Sequence, residues 1–284
     1  MLKYISRKEA IKVQFLKDLL STTAWEMEIP PAYGAFHISF VLIGFLVCFS
    51  LAYLLRNLSE KGNKILFLSV GAFLLVTEIY KQLMYKLVIS PDELYRWGVF
   101  PFHLCSIPLY LCLIIPFLKK GILKQTMYDF LMTYNLLSGF VAFFEPSGLL
   151  HQHVTMTAHS LVWHMLLVFL GAYVALSKRG GVEKKNLKRA TVMWLVLCVT
   201  AFTINCIHWN VSEGAINNFF VGPRNSSLIV FKQISEAFGW YVSTALYIPA
   251  TALGAGVVFT IIKLLRKTKG KPPQETATRK ATTV

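Results

Sequence analysis

The sequence predicts an all-α, polytopic integral membrane bundle of about seven transmembrane helices. Three observations carry that expectation. Of 284 residues, 55% are hydrophobic and only 15% are charged, where a soluble domain carries about 25% charged residues. The apolar residues fall into blocks of ~20, the length a helix needs to cross a bilayer core. Inside lipid each block must be helical, because every backbone group has to find its partner within the segment. Finally, short basic loops separate the blocks, and the bases concentrate in alternate loops.

Residues 1–34 form an N-terminal segment. Within it, residues 8–24 read as an interfacial helix, with Ile11, Phe15 and Leu19 on one stripe and Lys8, Lys12 and Lys17 elsewhere. Pro30, Pro31 and Gly34 break the chain before the first span. The membrane domain covers 35–265, with spans at 35–55, 65–88, 99–118, 127–144, 154–176, 191–208 and 239–265. The first apolar block begins too late and runs too long for a signal-peptide core. The longest connection, 209–238, carries the turn signal Gly222-Pro223-Arg224-Asn225. Residues 266–284 read as a basic, disordered cytoplasmic tail, with too little apolar surface to fold.

The formal net charge is +15. On a soluble domain that would point to nucleic acid; here it sets topology. The loops after spans one, three and five hold Arg56, Lys61, Lys64, then Lys119, Lys120, Lys124, then Lys178, Arg179, Lys184, Lys185, Lys188 and Arg189. The C-terminal end adds Lys263, Arg266, Lys267, Lys269, Lys271, Arg279 and Lys280, so 19 of the 29 basic residues share one side. The expected orientation is N-out, C-in, in a cell membrane. The five cysteines, Cys48, Cys105, Cys112, Cys198 and Cys206, all fall in spans and make no secreted disulfide framework.

Ionisable groups in hydrocarbon are expensive, so each asks for a reason. Glu78 and Lys81 lie in span two, His103 and Cys105 in span three, His159 and His164 in span five, and Asn205 with His208 in span six. At ~1.5 Å rise per residue, Glu78 is about 20 Å into span two, towards its exit, and His103 and Cys105 are about 6–9 Å past the entry of span three on that same side, so they share a leaflet half. His159, Asn205 and His208 share that leaflet half. His164 lies near the midplane, and Asp129 is expected at the opposite interface, solvated. Glu78 and Lys81, three apart, can neutralise each other, and Ser160 and His164, four apart, can hydrogen-bond. On a regular helix His103 and Cys105 would point about 200° apart. Each histidine alone is also a plain packing residue satisfied by a neighbour. Glu145, His151 and His153, with His159, could ligate zinc, but no tight metal motif is present and no metal or cofactor is expected. No glycine-rich phosphate loop or Gly-x-Ser-x-Gly elbow occurs.

The stretch Phe100-Pro101-Phe102-His103-Leu104-Cys105-Ser106-Ile107-Pro108 resembles the Pro-x-His-x-Cys-Ser segment of the YwaF-like bacterial membrane protein family, which is related to the animal transmembrane protein 164. His159-Ser160-Leu161-Val162-Trp163-His164 resembles that family's histidine-bearing span, and the likeness covers roughly 35–265. The animal relatives are associated with acyl transfer between phospholipids and share a fold with small membrane hydrolases of lipid esters. The resemblance therefore implies a lipid acyltransferase or ester hydrolase, with Cys105 as nucleophile, His159 or His164 as base, and membrane lipids as partners. His103 and Asn205 would polarise the ester carbonyl, with Glu78 and His208 beside the substrate. A thiol about 6–9 Å below the headgroups is close to phospholipid ester bonds. The alternative is a transporter or binding protein, in which Glu78, Lys81, His103 and Asn205 line a path for a small polar solute. Neither nucleic acid nor a protein partner is expected.

Overall fold

The computed structural model describes residues 7–90 and 95–268. The described residues are helical, without strands; one isolated bridge joins Glu26 to His153. The expected tail lies mostly outside them. Five helices are long and apolar enough to cross a membrane: Ala35–Asn57, Glu60–Ile89, Val154–Leu176, Lys184–Ile207 and Trp240–Lys267. In chain order the α-helices are α1 Arg7–Ser21, α2 Ala35–Leu54, α3 Glu60–Met84, α4 Ile107–Ile114, α5 Ile122–Phe130, α6 Leu136–Phe144, α7 Val154–Leu176, α8 Lys184–Ile207, α9 Ile229–Phe238 and α10 Trp240–Thr268.

The bundle is built around α7. Of its apolar window 61% is buried, against 11% for the first span and 17% for the last. A helix that is apolar all round, as this one is, belongs inside other helices. Helices α2, α3 and α6 pack along it. A Cβ at Gly171 would lie 2.6 Å from the Cβ of Leu136, so glycine is what lets α6 and α7 approach. Helix α8 begins at Lys184, earlier than its apolar block, because Glu183 and Asn186 form a capping box before it. Helix α1 docks through Leu20 onto Met84 and Met156 and leaves Ile11, Phe15 and Leu19 exposed as one apolar stripe.

The third expected span is not a continuous helix. His103 is extended (φ −99°, ψ 166°), Leu104–Ser106 is a single 3₁₀ turn, and α4 runs only from Ile107 to Ile114. Prolines explain this. Pro101 pushes Phe100 to extended backbone, with φ −55° and ψ 130°. Pro108 sits in the first turn of α4, where its missing N–H costs nothing. The third span is thus a shorter apolar helix, Leu104–Phe117, and the 200° separation expected for His103 and Cys105 does not apply. Irregular backbone at membrane depth is tolerated where protein buries it or where it lines a cavity.

The fourth apolar block forms one run, α5, a π turn at Leu131–Asn135, and α6. Asn135 sits at that turn. Its Nδ2 donates to the carbonyls of Leu131 (3.3 Å) and Leu167 (2.9 Å), tying the widened turn to α7. The first, fifth and seventh expected spans agree with α2, α7 and α10 to within a few residues.

Candidate functional site

One turn of α3 organises the polar seam. Glu78 is buried, with its Oε2 2.9 Å from Lys81 Nζ. Gln82, the next residue on that face, donates from Nε2 to Glu78 Oε1 (2.7 Å) and to the Val99 carbonyl (2.8 Å). The Tyr95 hydroxyl donates to Gln82 Oε1 (3.0 Å). Burial and the Glu78 carboxylate push the Tyr95 phenol up to about 12, so it remains a donor. Spacings of three and four residues put all three α3 groups on one face, and that face holds the irregular chain leading to His103.

His103 lies against the Gly98 backbone, and its ring lies 6.2 Å from that of Phe220. The half-buried Cys105 has the Ser106 hydroxyl beside its thiol. Its carbonyl accepts Trp163 Nε1 at 2.8 Å. The His159 ring stacks on Trp163 at 5.3 Å. His159 lies against the Thr77 backbone carbonyl, and its buried Nε2 has no hydrogen-bond partner. His164 shares Nδ1 with the Ser160 carbonyl (2.8 Å), a backbone contact rather than the hydroxyl contact the spacing suggested. The Lys81 ammonium is within electrostatic reach of His103, Cys105, His159 and His164. Among the described residues no hydrogen bond joins the Cys105 thiol to His103, His159 or His164.

The loop after α8 covers the seam. Phe219 and Phe220 take left-handed backbone angles (φ 54° and 55°), costing roughly 1–2 kcal/mol each for a non-glycine residue. Asn205 holds them there. Its Nδ2 donates to the Asn218 carbonyl (3.0 Å) and to that of Val221, while its Oδ1 accepts from Asn218 N and Nδ2, both at 2.9 Å. All four positions of the amide are taken, which leaves none for a substrate carbonyl. Phe219 packs on Phe102 at 5.6 Å and on Trp194 at 5.3 Å. His208 caps α8, with Nδ1 3.1 Å from the Ile204 carbonyl, and its ring lies 4.8 Å from Trp97 at the rim.

Asp129 is not solvated. It is 1% exposed; its Oδ1 accepts from Gln125 Nε2 (2.8 Å) and Gly181 N (2.7 Å), and its Oδ2 from Asn186 Nδ2 (2.8 Å). The Nδ1 atoms of His151 and His153 face each other at 3.2 Å, and Glu145 accepts from Ser147 instead of joining them. No group of three metal-capable side chains forms among the described residues. Sequence reasoning missed Gln82, Trp163, Phe219 and Phe220. It also missed His37, which is 2% exposed with neither ring nitrogen bonded. Gln82 and Trp163 carried a signal, their places four residues after Glu78 and His159.

No curated protein and no solved structure matches the chain. A family model described as the TMEM164 family matches residues 32–260. With its apolar helices and its polar seam beneath a broken span, the chain is a membrane protein that belongs to the TMEM164 family.

Proposed function

We propose that the protein transfers or cleaves acyl groups of membrane phospholipids through Cys105, with His159 as proton acceptor and Lys81 as the neighbouring cation. The observation that carries this is the orphaned Nε2 of His159: a buried imidazole nitrogen without a partner, on a ring stacked against the tryptophan that holds Cys105. Buried polar atoms are ordinarily satisfied, so an exception asks for a use. The broken third span supports the reading, since it frees the His103–Cys105 backbone from the helical ladder.

In the first step the thiol proton passes to His159 and the sulfur attacks the ester carbonyl. The S–C bond forms, the C–O bond breaks, and the leaving alcohol takes the proton from His159. In the second step a hydroxyl of another lipid, or water, gives its proton to His159 and its oxygen bonds the acyl carbon. The S–C bond then breaks and the thiolate recovers the proton. Lys81 favours the thiolate. His103 faces the developing oxyanion, and His164, anchored on Ser160, is the deeper alternative base. Glu78 positions Lys81. We take Asn205 out of the reacting set and assign it to the cover loop; His208 stands at the entrance.

The solute-path alternative is weaker, because Asn205, one of the four polar groups it would use, has its amide fully engaged by the Asn218–Val221 loop. We further read the chain as seven spans, counting 104–117 and 122–144, in the cell membrane with N-out, C-in topology, and as nearest in kind to the YwaF-like branch of its family. A reporter fused after residue 265 should be active only in the cytoplasm.

Cys105→Ser should abolish turnover of a phospholipid substrate while leaving the melting temperature unchanged. A membrane-permeant acyl electrophile should label Cys105 faster than Cys48 or Cys198. His159→Ala should slow that labelling; slowing by His164→Ala alone would move the base to the deeper ring. Equal, slow labelling of all cysteines, with Cys105→Ser fully active, would refute the reading.

A further inference from the structure

A cavity of about 380 Å³ opens at the other end of the bundle from the His–Cys seam, between the start of α3, the start of α5 and the end of α7. Four cations line it, Lys120, Lys124, Lys178 and Arg179, against one carboxylate, Glu60. Arg179 is already committed: its guanidinium pairs with Glu60 and donates to the Leu58 carbonyl. No carboxylate pairs with Lys120, Lys124 or Lys178 among the described residues, and Lys124 Nζ donates to the neutral Leu118 carbonyl at 3.2 Å. Three like charges converging on one cavity repel each other unless an anion occupies it.

Two features of the backbone point the same way. Helix α5 begins at this cavity with Gly121 as N-cap, no side chain caps its first turn, and a Cβ at Gly121 would meet nothing within 4 Å. Its first N–H groups are therefore open to an anion, with the helix dipole behind them. Lys178 follows the C-cap of α7 with φ 57°, where glycine is the ordinary residue. A lysine kept in a strained conformation at a cavity wall suggests that its charge is used.

The neighbouring surface selects the ligand. Phe117, Ile122 and Leu123, which flank the lysines in sequence, are 68%, 65% and 58% exposed. A soluble phosphate gains nothing from such a rim, whereas acyl chains cover it.

We propose that this cavity binds the phosphate-bearing headgroup of an anionic glycerophospholipid, held by Lys120, Lys124, Lys178 and the first turn of α5, with its acyl chains along Ile122 and Leu123. Basic pockets between membrane helices serve such headgroups elsewhere. The site lies at the opposite end from Cys105 and does not depend on its chemistry.

The test is the thermal melting of the full-length protein, purified in neutral detergent, with phosphatidylglycerol or phosphatidylcholine added. Phosphatidylglycerol should raise the melting temperature and phosphatidylcholine should not; an equal rise with both overturns the proposal. Lys178→Gly removes the charge and relieves the backbone strain together. It should melt at or above wild type without lipid and lose at least half of the phosphatidylglycerol shift. Lys178→Arg should keep the shift, and Lys124→Gln should reduce it. Lys61→Gln, an exposed charge at the same end but outside the cavity, is the control. If it reduces the shift as much as Lys178→Gly, general surface charge explains the effect and the site does not exist. If glycerol phosphate at equal concentration reproduces the shift, the site takes a soluble phosphate and the lipid assignment is wrong.

Discussion

The buried polar atoms of Asp129 and His159, at opposite ends of the bundle, are in opposite states. At the Asp129 end, a carboxylate that is 1% exposed has both oxygens filled, by a helix side chain, a loop amide and the capping residue of the next helix. At the His–Cys end, His159 Nε2 is buried with no partner, and a lysine–glutamate pair sits among three imidazoles and a thiol. A satisfied buried network specifies packing. An unsatisfied one sacrifices stability, and a fold keeps such a cost where it uses it. For these two groups, hydrogen-bond saturation distinguishes the architectural carboxylate from the candidate base.

Asp129→Asn gives the largest expected effect. The new NH₂ must face Gln125, Gly181 or Asn186, all of them donors, and the mismatch should cost about 3 kcal/mol. Melting of the purified protein measures it, and a wild-type melting temperature would erase the contrast between the two ends. Asn205→Ala comes next, at about 2 kcal/mol. It frees the Asn218 amide and removes the clamp on two strained phenylalanines, so exchange at Asn218 should rise before the helices open. Unchanged protection there would mean that the Phe219 contacts alone hold the loop. His159→Phe should move stability by no more than about 1 kcal/mol, since the ring still stacks on Trp163 and the removal of a buried unpaired nitrogen offsets the lost contact with the Thr77 carbonyl. Turnover should fall at least 100-fold. A loss of stability as large as that of Asp129→Asn would show that Nε2 has a structural partner, and the saturation rule would fail at its main example.

Much of this was legible in the sequence, unevenly. The apolar blocks placed α2, α7 and α10, because a span is set by length and composition. The Glu78–Lys81 pair followed from spacing, and counting along the spans grouped Glu78 with His103, Cys105 and His159, which the Lys81 ammonium reaches. Asp129 was misread, because an acidic residue at a span end looks solvated until its partners, Gly181 and Asn186, arrive from a distant loop. The third span was misread for a local reason: Pro101 and Pro108 were visible, but apolarity outweighed them. Trp163 and Asn205 took their roles from contacts 58 and 13 residues away in sequence, which periodicity does not report.

The smallest expected effect concerns how the N-terminal segment docks above the seam. Met27 N donates to the Gln152 carbonyl (2.8 Å), and Val154 N to that of Trp25 (2.9 Å). His151 Nδ1 accepts the His153 amide at 3.0 Å, the His151 ring lies edge-on to Tyr85, and Arg96 sits over Tyr85. Burial, then His153, then Arg96 hold the His151 imidazole below its usual range. The sign follows. Above the usual imidazole value His151 is neutral whether the segment is docked or not, and docking is at full strength. As pH falls through that value the undocked form takes up the proton first, so docking weakens on the acid side. Protection of the Met27 amide, corrected for intrinsic exchange, should therefore decline between about pH 7.5 and 5.5, and His151→Gln should flatten the decline. The seam itself should not respond in the same experiment, since His151 touches none of its residues. If the amides around His103 lose protection in step with Met27, the segment and the seam open together, and the contrast between the two ends extends to the whole outer rim of the bundle.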